Sequence, residues 1–154
     1  MLKQFILTIA LIMPGTAIAA DSVSLSSIVF VERKVAKPNG TTAMVLEKPT
    51  TVIPGDNLVF VVKYKNVGTE PAVDFSVTNP LPEAVAFNGT SDGREIVSVD
   101  GGNTWGPLSD LTYQSANGDV RPALMADVTH IKWKFNRSIS AGSEGELVFR
   151  GTVK

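Results

Sequence analysis

The clearest pattern in the chain is an alternation of apolar and polar positions between residues 52 and 82. Four apolar side chains recur there at every second position: Leu58, Phe60, Val62 and Tyr64. Phe75 and Val77 repeat this spacing after a break. Because side chains of a strand point alternately to its two faces, the segment predicts two strands, each with a buried face, joined by a tight turn.

Turn-forming residues bound these two strands. Pro54-Gly55-Asp56 precedes the first strand, Asn66 and Gly68 follow it, and Leu81-Pro82 ends the second. Proline presets its own φ, glycine tolerates positive φ, and aspartate bonds to nearby backbone N–H groups. We therefore predict that these motif residues have structural roles.

Short apolar runs between Gly, Pro, Asn and Asp predict further strands. They lie at residues 22–35, 44–46, 84–87, 95–99, 128–135 and 147–153. Residues 108–125 have few periodic apolar positions and predict a long loop with one short strand at most. No helical period extends over twelve positions after residue 20. The pattern predicts an all-β fold, an antiparallel β-sandwich of about seven to nine strands with immunoglobulin-like Greek-key topology.

The inward-facing positions of these strands define an expected core. It consists of Leu58, Phe60, Val62, Tyr64, Phe75, Val77, Leu81, Ile131, Trp133, Phe135, Leu147 and Phe149. All of them are large apolar or aromatic side chains, the types that dominate protein interiors.

The first twenty residues have the pattern of a secretory signal peptide. Lys3 precedes an apolar run at residues 5–13, and Ala17-Ile18-Ala19 fits an A-x-A cleavage site. The run is too short to span a bilayer, and no cysteine follows that could carry a lipid. We predict a cleaved signal peptide at 1–20 and one domain at 21–154, with an additional N-terminal strand at 22–35 and no stable membrane anchor after cleavage. The expected location is periplasmic, at the cell surface or extracellular.

Composition narrows the class of protein. The chain has 154 residues and no cysteine, so an exported domain of this length must rest on apolar burial and sheet hydrogen bonds rather than disulfides. Without Lys3 it carries 13 basic and 15 acidic residues. There is no basic stripe, which argues against nucleic acid as a partner.

The turn and strand motifs resemble a known family. Pro54-Gly55-Asp56, Asn66-x-Gly68, Phe75-x-Val77 and Leu81-Pro82 are similar to the immunoglobulin-like repeat domain of bacterial and archaeal surface proteins, a domain of unknown function. The resemblance covers roughly residues 35–154 in a single copy, and Asn79 stands where the family has Asp. It implies an exported, non-catalytic structural or adhesive module.

A second motif, Ser98-x-Asp100-x-Gly102-x-Thr104-Trp105, matches the Asp-box found in carbohydrate-handling proteins. Its chemistry is that of a hairpin, because the aspartate caps turn amides, the glycine takes positive φ and the tryptophan packs beneath. The motif is therefore predicted to be structural. The alternative is a carbohydrate-binding module in which the ring of Trp105 stacks on a sugar.

Residue spacing indicates no catalytic, cofactor or metal site. His130 is the only histidine and cysteine is absent, so imidazole-based catalytic sets and zinc sites cannot be assembled in the usual way. The aspartates of the predicted loops are Asp92, Asp100, Asp110, Asp119 and Asp127. Their spacing matches neither an acid–base pair nor a D-x-D-x-D-G calcium loop. We predict that the chain is not an enzyme and uses no cofactor.

Two segments are apolar on both faces. Val59 and Val61 point away from the Leu58 face, and Ile28, Val29, Phe30 and Val31 form a run near the predicted mature N-terminus. They are either central strands covered by loops or strands that complete the sheet of a neighbour. The second reading predicts that the segment from Ser22 to Val31 completes a neighbour's sheet, with Ile28 to Val31 as the candidate residues for strand exchange. The expected function is a structural, adhesive or protein-interaction module of the cell envelope, capable of self-association.

Overall fold

The computed structural model describes residues 22–154, so the predicted signal peptide lies outside the described residues. The described chain folds into ten strands and two single turns of 3₁₀-helix. The strands are β1 (Val23–Ala36), β2 (Thr42–Glu47), β3 (Asn57–Asn66), β4 (Ser76–Pro80), β5 (Val85–Thr90), β6 (Ile96–Ser98), β7 (Thr112–Gln114), β8 (Val120–Pro122), β9 (His130–Lys134) and β10 (Glu144–Val153). The 3₁₀ turns are Leu108–Asp110 and Met125–Asp127.

The strands form two layers of antiparallel sheet. One sheet has five strands in the order β2-β1-β3-β10-β5, and the other has three in the order β4-β9-β6. Buried side chains from both sheets belong to one apolar cluster, which makes the fold a β-sandwich. The predicted all-β antiparallel sandwich is confirmed.

The structure has more strands than the seven to nine expected, because residues 108–125 contain a small hairpin. β7 and β8 pair with each other in a separate two-stranded sheet. The predicted long loop with one short strand at most is therefore wrong for this segment. Its strands carry almost no buried side chains, so they leave no alternating pattern in the sequence.

The core contains most of the residues expected there. Eight of the predicted positions are buried, and the other four, Tyr64, Phe75, Leu81 and Phe135, are half-buried against the same cluster. The rings of Phe60 and Phe149 stack with centroids 4.4 Å apart across the β3–β10 pair. Core residues that the pattern did not single out are Val31, Val85, Phe87, Val97, Val99 and Val128. They come mostly from short segments in which one or two apolar residues show no period.

The two strands of the 52–82 segment do not form a hairpin with each other. β3 lies in the five-stranded sheet and β4 in the three-stranded sheet, so residues 67–75 cross from one layer to the other. Ala72 forms an isolated bridge with Ile139 on this path, and Asp74 takes a positive φ of 51°. The crossing brings the two most regular strands of the chain onto opposite sides of the core.

β1 is a single unbroken strand of 14 residues. Its first part pairs with β3 from Val23 to Val31, and its last part pairs with β2 from Val31 to Ala36. Only Val31 has a strand on both sides. Most of β1 therefore has a neighbour on one edge only.

Candidate functional site

The Pro54-Gly55-Asp56 turn is a structural junction. Asp56 accepts a hydrogen bond from the backbone N–H of Ile53 at 3.0 Å and a bidentate pair of bonds from Arg33 on β1. The bonds from Arg33 and then from Ile53 hold the pKa of Asp56 below its usual range. Gly55 has a φ of 92°, a conformation that favours glycine. The motif thus ties the last part of β1, which pairs with β2, to the turn that precedes β3.

Asn66 joins the end of β3 to two other segments. Its side chain is completely buried, and its amide nitrogen donates to the carbonyl oxygens of Glu70 at 2.9 Å and Ile139 at 2.8 Å. Its side-chain oxygen accepts the backbone N–H of Gly68 at 2.9 Å. All of its polar side-chain atoms have partners, as a buried amide requires. Asn66 and Gly68 are therefore a structural pair.

Leu81 and Pro82 lead from the three-stranded sheet into β5. The N–H of Leu81 donates to the carbonyl oxygen of Thr129 at 2.8 Å, and the carbonyl oxygen of Pro82 accepts the N–H of Val85 at 2.9 Å. The bonds extend the β4–β9 pairing by one residue and close a tight turn. This motif therefore holds the connection between β4 and β5 in place.

The Asp-box hairpin is organised around the carboxylate of Asp100. It accepts the backbone N–H of Thr104 at 2.9 Å, that of Asn103 at 3.0 Å, and the hydroxyls of Thr104 and Ser98, each at 2.7 Å. These bonds, with the backbone N–H of Thr104 first, lower the pKa of Asp100 strongly. Gly102 has a φ of 93° and donates its N–H to the buried hydroxyl of Ser98. The oxygens of the Asp100 carboxylate are thus occupied by hydrogen bonds from its own turn.

Trp105 is packed against this hairpin and is half-buried. Its Nε1 donates to the carbonyl oxygen of Gly102 at 2.9 Å, and its ring meets the edge of the His130 ring with centroids 6.2 Å apart. The ammonium group of Lys132 lies 3.6 Å from the ring centroid, a cation–π contact. A sugar stacking on that face would have to displace Lys132.

The loop carboxylates do not converge. Asp92 bonds to Arg94, Asp110 to Ser109 and Asp127 to Arg121, each a partner within six residues along the chain. Between residues 22 and 154 no group of three histidine, aspartate or glutamate side chains could hold a metal ion. The chemistry of these groups is that of loop stabilisation.

Searches against protein-family models, curated proteins and solved structures find no match for this chain. The resemblance to the immunoglobulin-like repeat domain therefore stays a prediction. Within the described part of the chain, no helix is both long enough and apolar enough to cross a bilayer.

The remaining candidate site is the outer edge of β1. In an antiparallel pair, alternate residues direct their N–H and C=O groups toward the partner strand. Ser22 accepts the N–H of Val67 at 2.7 Å on the β3 side, and Lys37 donates to the carbonyl oxygen of Thr41 at 2.7 Å on the β2 side. With the observed registers, even-numbered residues of β1 bond toward β3 and odd-numbered ones toward β2.

That edge is occupied only from Val31 onward. β2 ends at Glu47, opposite Val31, because Pro49 has no N–H with which to continue the ladder. Four residues therefore turn their backbone N–H and C=O groups to an edge with which no described strand pairs: Val23, Leu25, Ser27 and Val29. The five consecutive residues from Ser24 to Ile28 are exposed.

The predicted exchange segment lies at the end of this edge. Ile28, Val29 and Phe30 pair with β3 of their own chain, and Val31 is a core residue only 2% exposed. On the outer face Ile28 lies in register with Val61 and, across β3, with Val148. Val59, predicted to be covered or to contact a partner, is buried at 2% exposure.

Sequence reasoning included the exposed stretch in the predicted exchange segment but placed the candidate exchange residues at Ile28 to Val31, whereas the most accessible part of β1 lies mostly before them. Leu25 is 51% exposed although it lies on the same face of the sheet as the core residue Phe60. A signal was present in the sequence, since the strand predicted at 44–46 and stopped by Lys48-Pro49 is too short to cover a partner predicted at 22–35. The length mismatch predicts an uncovered stretch of edge.

Proposed function

We propose that this protein is an exported, non-catalytic structural or protein-interaction module of the cell envelope, and that it binds by adding a strand to the free edge of β1. The single observation that carries the proposal is the uncovered run of backbone donors and acceptors from Val23 to Val29. Unpaired edges are the usual template for strand addition, in which main-chain hydrogen bonds supply the affinity.

The residues of this edge support the proposal. Proteins that keep an edge unpaired protect it with charged side chains, proline or bulges. Residues 22–31 contain no charge, no proline and no glycine. The edge thus lacks the usual protection, while Leu25 adds an exposed apolar side chain beside it.

The cellular context rests on other observations. The apolar run at residues 5–13 and the A-x-A site support export. The two-layer antiparallel architecture and the turn motifs are compatible with the immunoglobulin-like Greek key and the surface-protein repeat that the sequence resembles. The proposal therefore places the module outside the cytoplasm.

The test uses the full chain, expressed with its first twenty residues in a bacterial host. A photoreactive amino acid replaces Leu25, and a matched variant carries it at Val120, which is 64% exposed on the remote β7–β8 hairpin. We expect the mature chain, without residues 1–20, outside the cytoplasm. We also expect a protein adduct, identified by its peptides, at position 25 but not at position 120, and lost when Ser27→Lys places a charge on the edge.

Other outcomes would contradict the proposal. An uncleaved chain in the cytoplasm would refute export. Equal adducts at both positions, or none at position 25, would refute edge recognition. Adducts to polysaccharide instead of protein would favour the carbohydrate-binding alternative, for which Trp105→Ala is the matching variant.

A further inference from the structure

We propose that the partner of the free edge is a second copy of this chain, paired antiparallel with it about a twofold axis at Ser26. The inference rests on the proposed function, because it names the occupant of the same edge. It makes β1 the seam of a symmetric dimer in which two five-stranded sheets become one continuous sheet. Symmetric pairing of identical patches is the commonest mode of homo-oligomer formation.

The alternation of hydrogen-bonding residues along β1 allows only one register for the pair of β1 strands. Of the odd-numbered residues of β1, only Val23, Leu25, Ser27 and Val29 are free, because Val31 already bonds to β2. An antiparallel twofold pair that uses all four must place Val23 opposite Val29 of the other copy, and Leu25 opposite Ser27. This arrangement puts the two Ser26 residues directly opposite each other, in a pair that is not hydrogen-bonded.

The ends of β2 also fit this register. Pairing over residues 22–30 fills the length of edge between Glu47 of one copy and Glu47 of the other. In each copy, the position ahead of Ser22 would face Val31 of the other copy, where the end of that copy's β2, Glu47, already pairs. Cleavage after residue 20, as predicted, would leave almost no chain ahead of Ser22.

The side chains at the seam suit a copy of themselves. Across the seam, one face brings together Val23, Leu25 and Val29 of both chains, which covers the half-exposed Leu25. The other face brings Ser24 opposite Ile28 and Ser26 opposite itself. The nearest charges on that face are Lys63 beside Ser26 and Lys65 beside Ser24. Each already pairs with a glutamate of β10, at 2.9 Å and 3.1 Å, so the seam gathers no unpaired like charges.

The test uses engineered disulfides, which are clean here because the chain has no cysteine. Ser26→Cys places two thiols in a directly opposed pair, whose Cα atoms are roughly 4.5 Å apart in such a position, within the span of a disulfide. Ser24→Cys is the matched control, on the same face and also exposed. In this register residue 24 of one copy lies opposite residue 28 of the other, so the two cysteines would be roughly 13 Å apart along the strands. A disulfide cannot bridge that distance.

We expect Ser26→Cys to form covalent dimer under mild oxidation at least about tenfold faster than Ser24→Cys, because pairing raises the effective thiol concentration. Adding Ser27→Lys to Ser26→Cys should remove that advantage. Circular dichroism and the urea midpoint of each reduced variant establish that the fold is kept. Light scattering of the unmodified chain over a concentration series should show a dimer.

Equal dimer formation by the two cysteine variants, or a native unmodified chain that is monomeric at every concentration, would overturn the inference. A monomer that still gives a protein adduct at position 25 would overturn only the identity of the partner. In that case the edge would serve a different protein, and the proposed function would stand. Loss of the position-25 adduct as well would remove both.

Discussion

At the scale of single residues, the polar side chains of the sequence motifs stabilise turns and loops by hydrogen bonds. Asp100 accepts bonds from three residues of its own hairpin. Asn66 bonds to Gly68 and Glu70 in the loop that follows its own strand and to the distant Ile139. Both resemble functional polar residues in sequence, since a carboxylate or amide among turn residues is also what a binding site contains. Their hydrogen-bond partners show that both side chains hold turns and loops together.

Asp100→Asn should lower the free energy of unfolding at pH 7 by about 1–2 kcal/mol, the scale of lost bonds to a charged acceptor on an exposed turn. The pKa of Asp100 is lowered by folding, so its contribution is present above the unfolded value of about 3.9 and is lost as the pH falls below it. Urea unfolding at pH 7, 4 and 2.5 measures both effects. Wild type should lose stability over this range more steeply than the variant.

Asp119→Asn is the control for this measurement, because Asp119 takes part in its turn through its backbone N–H. It should keep both the stability and the pH slope of wild type. A variant at position 100 with an unchanged slope would show that the carboxylate network does not stabilise the fold.

Asn66→Ala should cost about 2–4 kcal/mol, because it leaves two carbonyl oxygens and one N–H without their buried partner. Asn79→Ala is the matched change, since the side chain of Asn79 makes one exposed hydrogen bond, to the carbonyl oxygen of the adjacent Pro80. Urea midpoints compare the two variants. Similar losses in both would contradict the role assigned to Asn66.

At the scale of elements, close backbone approaches fix where β1 begins. A Cβ added to Gly68 would lie 2.4 Å from the Cβ of Ser22 and 2.8 Å from its hydroxyl oxygen. The glycine after β3 therefore makes room for the first residues of β1. The same contact holds the beginning of the free edge in place.

Gly68→Ala should displace the start of β1 while the rest of the sandwich stays folded. We expect amide hydrogen exchange of Ser24 and Ser26, which bond toward β3, to become at least about tenfold faster, in line with an overpacking cost of about 1–3 kcal/mol. Gly106→Ala is the control, because the nearest atom to its added Cβ is a side-chain carbon at 3.5 Å. Unchanged protection of β1 in Gly68→Ala would refute the proposed contact.

The elements also show how far the sequence could be interpreted. β9, which has one buried face, and β3, whose large apolar residues recur at every second position, were predicted close to their observed ranges. β7 and β8 were missed because neither has a buried face. The extent of the free edge within residues 22–31 was not predicted for another reason: which side of β1 each neighbour occupies depends on pairings such as Val23 with Asn66, 43 positions apart. No local pattern encodes that choice.

At the scale of the whole molecule, the two sheets of the sandwich differ in width. The three-stranded sheet is narrower than the five-stranded sheet on which it packs, and side chains at the β1 end of the wider sheet, such as Leu25 and Val35, stay exposed. A chain without disulfides gains stability from any partner that covers this apolar surface, because burial is its main stabilising term.

Self-association through β1 therefore predicts a melting temperature that depends on protein concentration. A partner that binds only the folded chain stabilises it by mass action, and for a domain of this size we expect a rise of about 2–4 °C for each tenfold increase in concentration. Ser27→Lys should melt at one temperature across the series, because two symmetry-related charges would enter the seam. Val120→Lys introduces the same charge at an exposed position of β8 and should keep the concentration dependence of the melting temperature. If wild type and Ser27→Lys melt alike at every concentration, the wider sheet has no second copy at its edge.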